Sequence, residues 1–280
     1  MTLRREDRQD SGQVGARPVI SILTDFGSKG GYTGSVKAVI LSRVSADLVD
    51  ISNDVSPQSV LEGAFVLRSV FRYFPPGTIH LVVVDPGVGG QRRALAIKSG
   101  NYYFVGPDNG ILIPAAKNSG RMEIREINTE KLNVDSVSYT FHGRDIFAPA
   151  AAFLAQGHDF SSIGRLRKNC SELDFGPVRN ISGGIEGICL YSDTFGNVIT
   201  NISGSVFSKI FRIGDKLAVT CRDSQHVAEY CTTYSGMIAE KIIVLTGSHG
   251  NIEIAIPGGN AAAFLNSRQF SEISIRKLRF

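Results

Sequence analysis

Cysteine is scarce in this sequence: Cys170, Cys189, Cys221 and Cys231 are spread through 280 residues, and no two form a C-x-x-C pair. That spacing excludes a zinc module built on paired thiolates and gives no dense disulfide framework, so a reducing cytoplasm fits the chain best. Cys221, His226 and Cys231 match no standard zinc pattern and read as ordinary side chains of strands, so no metal is expected. No run approaches the roughly 18 apolar residues of a membrane helix, and the opening MTLRREDRQDSGQVGAR lacks the apolar core of a secretion signal. Residues 1–16 read as a disordered tail, and no membrane partner is expected.

Charge of one sign is missing too. The 30 Lys and Arg against 26 Asp and Glu leave a formal net charge of +4, and the basic residues are scattered. A nucleic-acid groove needs a basic stripe interleaved with aromatics, so nucleic acid is not an expected partner. No G-x-S-x-G, Walker loop or H-E-x-x-H occurs, which removes the commonest serine hydrolase, nucleotide triphosphatase and zinc protease readings. GVGGQR at 87–92 begins like a dinucleotide fingerprint, but the third glycine is absent and RRALAIKSG reads as a strand. A nicotinamide cofactor is therefore not expected.

Two textures fill the rest. From Pro18 to about Gln156, β-branched runs (PVISILT, ADLVDIS, TIHLVVV) alternate with segments of helical period (GYTGSVKAVILSRV, PQSVLEGAFVLRSVFRYF). That alternation predicts an α/β domain over 17–175 with a largely parallel sheet. Gly176, Pro177, Gly183 and Gly184 then punctuate a polar stretch. Beyond it IEGICLYS, NVITNIS, KLAVTC, KIIVLTG, NIEIAI and ISIRKLRF follow closely, predicting an all-β domain over 184–280, barrel-like or a sandwich.

This layout gives the polar motifs their addresses. Asp25 follows ISILT and Asp85 follows IHLVVV, so both carboxylates fall just past the carboxyl ends of apolar strands, the edge where open α/β sheets bind ligands. Either acid alone could be a turn residue. TFHGRDIFAPAAAFLAQG at 140–157 poses the same choice: His142 through Asp145 could cap the amphipathic helix that follows, or belong to a site with VVVDPGVGGQRR at 82–93.

Six segments, LTDFG, VVVDPGVGGQRR, VGPDNGIL, FHGRDIFAPAA, DTFGNVITNI and GSHGNIEIA, occur in the order and approximate spacing of the S-adenosylmethionine hydroxide adenosyltransferases, and together span nearly the whole chain. The sequence resembles that family, which is related to the fluorinase and chlorinase that use the same substrate. The resemblance implies an α/β domain joined to a β-barrel domain, a trimer with substrate between the first domain of one subunit and the second of its neighbour, and hydrolysis of S-adenosylmethionine to adenosine and methionine by attack at the ribose C5′. It implies no cofactor beyond the substrate.

Position by position, the resemblance gives Asp85, Arg92 and His142 the handling of water, with Arg92 preferred over Arg93 because the family separates the Asp and Arg by seven residues. Asp25 matches the acid that grips the ribose hydroxyls, a task suited to a carboxylate. Tyr32 falls near the methionine end. Asp193 and Asn197 match residues holding the methionine amino-acid group, and Ser248 and Glu253 lie near substrate. Tyr234 is either an adenine-stacking ring or a tyrosine of the barrel core. Gly30 stands where relatives usually carry an acid, and Asn53 where a histidine is common.

Two alternatives accompany this reading. A halogenase would resemble the fluorinase, which has a tyrosine, a threonine and a serine where this chain has Asp85, Val88 and Gly143. A sensor that binds S-adenosylmethionine or adenosine without turnover would have lost the Asp, Arg and His trio, which is present here.

Overall fold

A computed structural model describes residues 17–134, 136–222, 224–235 and 241–278. The expected tail over 1–16 lies outside the described residues. The first texture folds in the order β1 (Val19–Thr24), α1 (Tyr32–Leu41), β2 (Asp47–Ser52), α2 (Val60–Val70), β3 (Ile79–Val83), β4 (Ala94–Ser99), β5 (Tyr102–Pro107), α3 (Ile113–Ser119), β6 (Met122–Ile127), α4 (Ala148–Ala155) and β7 (Gly164–Arg167). Its seven strands lie in the order β2-β1-β3-β5-β4-β6-β7. All five residues of β3 are buried, as expected of a strand covered on both faces. Ile20, Ile22 and Leu81 pack under α1 and α4, while Leu23, Val82 and Ile97 pack toward α2 and α3.

The sheet is less parallel than the sequence predicts. β2, β1, β3 and β5 run parallel, but β4 pairs antiparallel with both β5 and β6, and β6 pairs antiparallel with β7. The cause is local: only Gly100 and Asn101 separate β4 from β5, and a two-residue connection forces a hairpin. The helix after FHGRD also departs from expectation. Six of the eight α4 residues are buried, because its alanines allow close packing nearly all round, so it is a buried helix and not an amphipathic one.

The second texture gives β8 (Arg179–Ile181), β9 (Gly184–Ser192), β10 (Val198–Ser203), β11 (Lys216–Cys221), β12 (Ser224–Tyr230), β13 (Ile242–Thr246), β14 (Asn251–Ala255) and β15 (Glu272–Lys277). The order β10-β14-β13-β12-β11-β15-β9 closes on itself through a β9–β10 pairing, with β8 attached outside on β9. Closure removes the edges of the seven-stranded ring and leaves a core of Val, Ile, Leu and Phe inside it. Helix α2 holds the barrel against the first sheet. Phe65 meets the rings of Phe175, Tyr191 and His249, and Arg68 lies over Phe65 and Phe175 while donating to Asn251 Oδ1 at 3.1 Å.

Candidate active site

Strand order builds the first part of the site. β5 lies between β3 and β4, so residues 84–93, which connect β3 to β4, must arch over the end of β5. Asp85 stands near one foot of this arch and Arg92 near the other. Arg92 Nε donates to both carboxylate oxygens of Asp85 at 3.0 Å, and Nη2 donates to Oδ2 at 2.5 Å. The side chains are only 5% and 11% exposed, and the guanidinium lies over the Phe147 ring. Burial of this kind strengthens a charge-assisted pair relative to one at the surface. Gly89 is required where the arch passes under residues 136–141: its φ is +76°, and a Cβ there would lie 2.3 Å from the Tyr139 carbonyl oxygen.

His142 closes the group. It precedes a π-helical turn over Gly143–Phe147 and makes no side-chain capping bond, so the cap reading of FHGRD does not hold. Such turns recur at functional sites. Arg92 Nη2 lies 2.6 Å from His142 Nδ1. A guanidinium can only donate, so Nδ1 accepts and the ring proton resides on Nε2. Burial, then the Arg92 charge, lowers the His142 pKa; Asp85 and Asp145 oppose this more weakly. His142 is therefore a neutral hydrogen-bond donor at neutral pH. Asp145 steadies the segment before it, accepting from the Ser138 amide at 2.9 Å and from Arg144 Nε at 2.6 Å.

Asp25 shares this edge because Thr24 of β1 is in register with Val83 of β3. One Asp25 oxygen accepts from the Gln58 amide at 2.8 Å, from a residue held at φ +65°. Tyr32, half exposed at the start of α1, sets its ring edge-on to Phe141, the neighbour of His142.

The five second-domain residues come together elsewhere. Asp193, Asn197, Tyr234, Ser248 and Glu253 line one cavity of about 850 Å3, joined by Tyr191 and His249, and every residue lining it belongs to the barrel domain. Asp193 accepts from the amides of Phe195 and Asn197 at 3.0 and 2.9 Å and from Asn197 Nδ2 at 3.0 Å, so Asn197 orients the acid. Glu253 is 4% exposed, accepts from the Tyr234 hydroxyl, and has His249 Nε2 at 3.6 Å. Burial and the Glu253 carboxylate push the Tyr234 pKa up, so its hydroxyl keeps its proton as a donor. Tyr234 does not lie in the barrel core: it follows β12 in a loop and is 44% exposed. Among the described residues no Lys or Arg lines this cavity. The basin is acidic, and it suits a cation.

Sequence reasoning overlooked Gln58, Tyr191 and His249. Gln58 carries no signal, since glutamine does not advertise a left-handed backbone, whereas His249 stood within GSHGNIEIA and was passed over.

A buried acid and guanidinium, with a half-buried imidazole beside them, thus meet at one edge of the α/β sheet, and an acidic basin opens on the closed barrel. The model for the SAM hydroxide adenosyltransferase N-terminal domain matches residues 20–164, and that for the C-terminal domain matches residues 187–274. The chain is 36% identical over 254 residues to the (R)-S-adenosyl-L-methionine hydrolase of Salinispora tropica, covering 89% of this chain and 94% of that protein. It is 33% identical over 270 residues to the (R)-S-adenosyl-L-methionine hydrolase of Methanocaldococcus jannaschii, covering 92% and 95%. A crystal structure of an uncharacterized conserved protein from Thermotoga maritima superposes with a TM-score of 0.87 at 37% identity, covering 92% of this chain and 99% of that one. The chain belongs to the SAM hydroxide adenosyltransferase family.

Proposed function

We propose that this protein hydrolyses S-adenosyl-L-methionine to adenosine and L-methionine, and that the (R) epimer at sulfur is its preferred substrate. The observation that carries the reaction is the connected Asp85, Arg92 and His142 group. The epimer preference follows the (R)-S-adenosyl-L-methionine hydrolases that match over about nine-tenths of the chain. Water attacks C5′, the C5′–S bond breaks with its electron pair on sulfur, and methionine leaves as a neutral thioether that needs no acid. One proton of the water is left over. Asp85 receives it and passes it to solvent, because His142 presents an N–H and not a lone pair.

Arg92 supplies positive field to a nucleophile whose pKa in bulk is about 15.7. The field acts inside a buried pair that needs no reorganisation during reaction, where such stabilisation is largest. His142 Nε2–H orients the water by donating to its oxygen. Asp25 accepts from the ribose hydroxyls. The acidic basin receives the cationic methionine end, with Asp193 and Glu253 as its charges, while Ser248 and Tyr234 supply hydroxyls. No cofactor enters this scheme.

No residue of the first domain lines the barrel cavity, and apolar side chains beside the first half-site are open: Tyr139 is 83% exposed, Tyr32 50% and Val88 36%. We propose a homotrimer in which these faces are covered and each substrate bridges two copies. No helix among the described residues is long and apolar enough to cross a membrane.

The halogenase alternative fits poorly. A halide about 4 Å from the Asp85 carboxylate would be repelled by about 4 kcal/mol at an effective dielectric of about 20. A serine at Gly143 would place its Cβ 2.9 Å from the Phe26 ring. The test of function is incubation with each sulfonium epimer in water enriched in oxygen-18. Adenosine labelled at the 5′ hydroxyl, formed faster from the (R) epimer, is expected; unlabelled adenosine rules out attack at C5′, and equal rates rule out the epimer preference.

A further inference from the structure

The motif VGPDNGIL at 105–112 carries part of the family resemblance but has no part in the scheme above. Topology gives it one. Because β5 lies between β3 and β4, its last residue, Pro107, stands under the arch formed by residues 84–93. The next two residues are tied to opposite feet of that arch. Asn109 Nδ2 donates to the Val84 carbonyl at 2.8 Å, one residue before Asp85. The Asp108 amide donates to the Arg93 carbonyl at 3.0 Å, and Asp108 Oδ2 accepts from Arg93 Nε at 2.7 Å and Nη2 at 2.6 Å, one residue after Arg92.

Both side chains are themselves held. Asp108 is 8% exposed and its other oxygen accepts from the Ser171 amide at 2.7 Å. Asn109 Oδ1 accepts from the Ile111 amide at 3.2 Å, which fixes the orientation of its donor. The arch needs such support because it carries Gly87, Gly89 and Gly90 and contains no helix or strand.

We propose that Asp108 and Asn109 are positioning residues that fix the arch from below, Asn109 acting at the foot that carries Asp85 and Asp108 at the foot that carries Arg92. The proposal rests on the reading of Asp85 and Arg92 as the pair that handles water. Without the ties the pair remains joined to itself but shifts as a unit against a ribose anchored separately by Asp25. Such a shift changes the line of attack, not the grip on substrate. A misplacement of about 1 Å costs on the order of 10²-fold in rate.

The test measures kcat, KM and melting temperature for Asn109→Ala and Asp108→Asn, each alone and with Asp85→Ala. Asn109→Ala is expected to lower kcat about 10²-fold with KM within about threefold, and to cost less than about threefold further once Asp85 is gone, because residues acting through one group are non-additive. Asp108→Asn, which keeps the shape, is expected to lose about tenfold and serves if Asn109→Ala does not fold. Parental kcat in both variants, or the same loss in both backgrounds, overturns the proposal. The underlying reading fails separately, if Asp85→Ala keeps parental kcat. In that case the titration of His142, followed by nuclear magnetic resonance and assigned by its loss in His142→Gln, still decides the matter. Its pKa should rise in either variant as the pair moves away from the ring, because Arg92 lowers it more than the departing Asp85 raises it and Asp145 still faces it; an unchanged titration overturns the ties.

Discussion

The two half-sites treat charge in opposite ways. On the first sheet, Asp85 is matched by Arg92, and Arg92 in turn by His142, so the group is internally satisfied before any ligand arrives. On the barrel, Asp193 and Glu253 face a cavity of about 850 Å3 that no Lys or Arg lines among the described residues. A satisfied group gains little by holding a cation and is suited to charge that develops during reaction. A basin whose acids are hydrogen-bonded but face no Lys or Arg is suited to a ligand that is already charged. On the proposed reading the water-handling group and the cation-binding basin fall in different domains, although Asp25 of the first also grips the ribose, and the two should be separable by mutation.

The sharpest break of that division is expected from Asp85→Ala, which should lower kcat by about 10²- to 10⁴-fold, the range for one positioned acid or base, and leave KM nearly unchanged. Steady-state kinetics check it, and a loss confined to KM would place Asp85 in binding. His142 sharpens the same point. Because it donates and does not accept, His142→Gln, whose amide can donate, should retain more activity than His142→Ala.

Next in size is the sharing of sites between copies. Asp85→Ala and Asp193→Ala proteins, each impaired alone, should regain activity when unfolded and refolded together. If each site takes one domain from each of two neighbours, random trimers carry about a quarter of their sites intact. Mixed activity no greater than the sum of the separate proteins would mean that each chain completes its own site.

The basin should yield a smaller and opposite signature. Asp193→Asn keeps the shape while removing the charge, and a hydrogen bond to a charged group contributes about 1.5 to 3 kcal/mol. KM should therefore rise by about 10- to 100-fold with kcat largely kept, and methylthioadenosine, which lacks the amino-acid group and its ammonium, should lose less affinity than substrate. Equal losses for the two ligands would remove the electrostatic account of the basin.

The sequence was most legible where chemistry demands a particular residue. Asp25, Asp85, Arg92 and His142 are expectations of the family resemblance, whose roles the kinetics above would test; the structure pairs Arg92 with Asp85 and Arg93 with Asp108. The all-β second domain was legible from closely spaced apolar strands, which left barrel or sandwich open; closure is decided by the β9–β10 pairing. β12 was not, since SQHVAEY mixes polar residues with its buried ones, and it was found only as a partner of β11. The antiparallel half of the first sheet was missed although its signal, the Gly100–Asn101 turn, was in view. That the barrel cavity is lined by barrel residues alone could not be read from local patterns, because it depends on how α2 seats the barrel.

The smallest expected effect concerns a second histidine, set within the first sheet. His80 lies fully buried on β3, its Nδ1 2.6 Å from Ser21 Oγ and its ring among Phe71, Phe74, Tyr102 and Phe104. Desolvation lowers its pKa to about 3, whereas the unfolded chain titrates near 6.5. Between these values the unfolded state binds more protons, so stability falls as pH falls, with a slope approaching about 1.4 kcal/mol per pH unit for one site, and the loss ends below about pH 3. His80→Gln cannot titrate there and can still accept from Ser21. Urea unfolding at pH 7, 6, 5 and 4.5 should therefore show parent and variant curves converging as the medium is acidified, the carboxylates they share contributing equally to both. Parallel curves would mean that His80 accepts a proton in place, and that the aromatic cage around it admits more water than its burial implies. Convergence would separate the two histidines by duty: both are neutral, but half-buried His142 has its N–H at the site edge and buried His80 holds only the sheet.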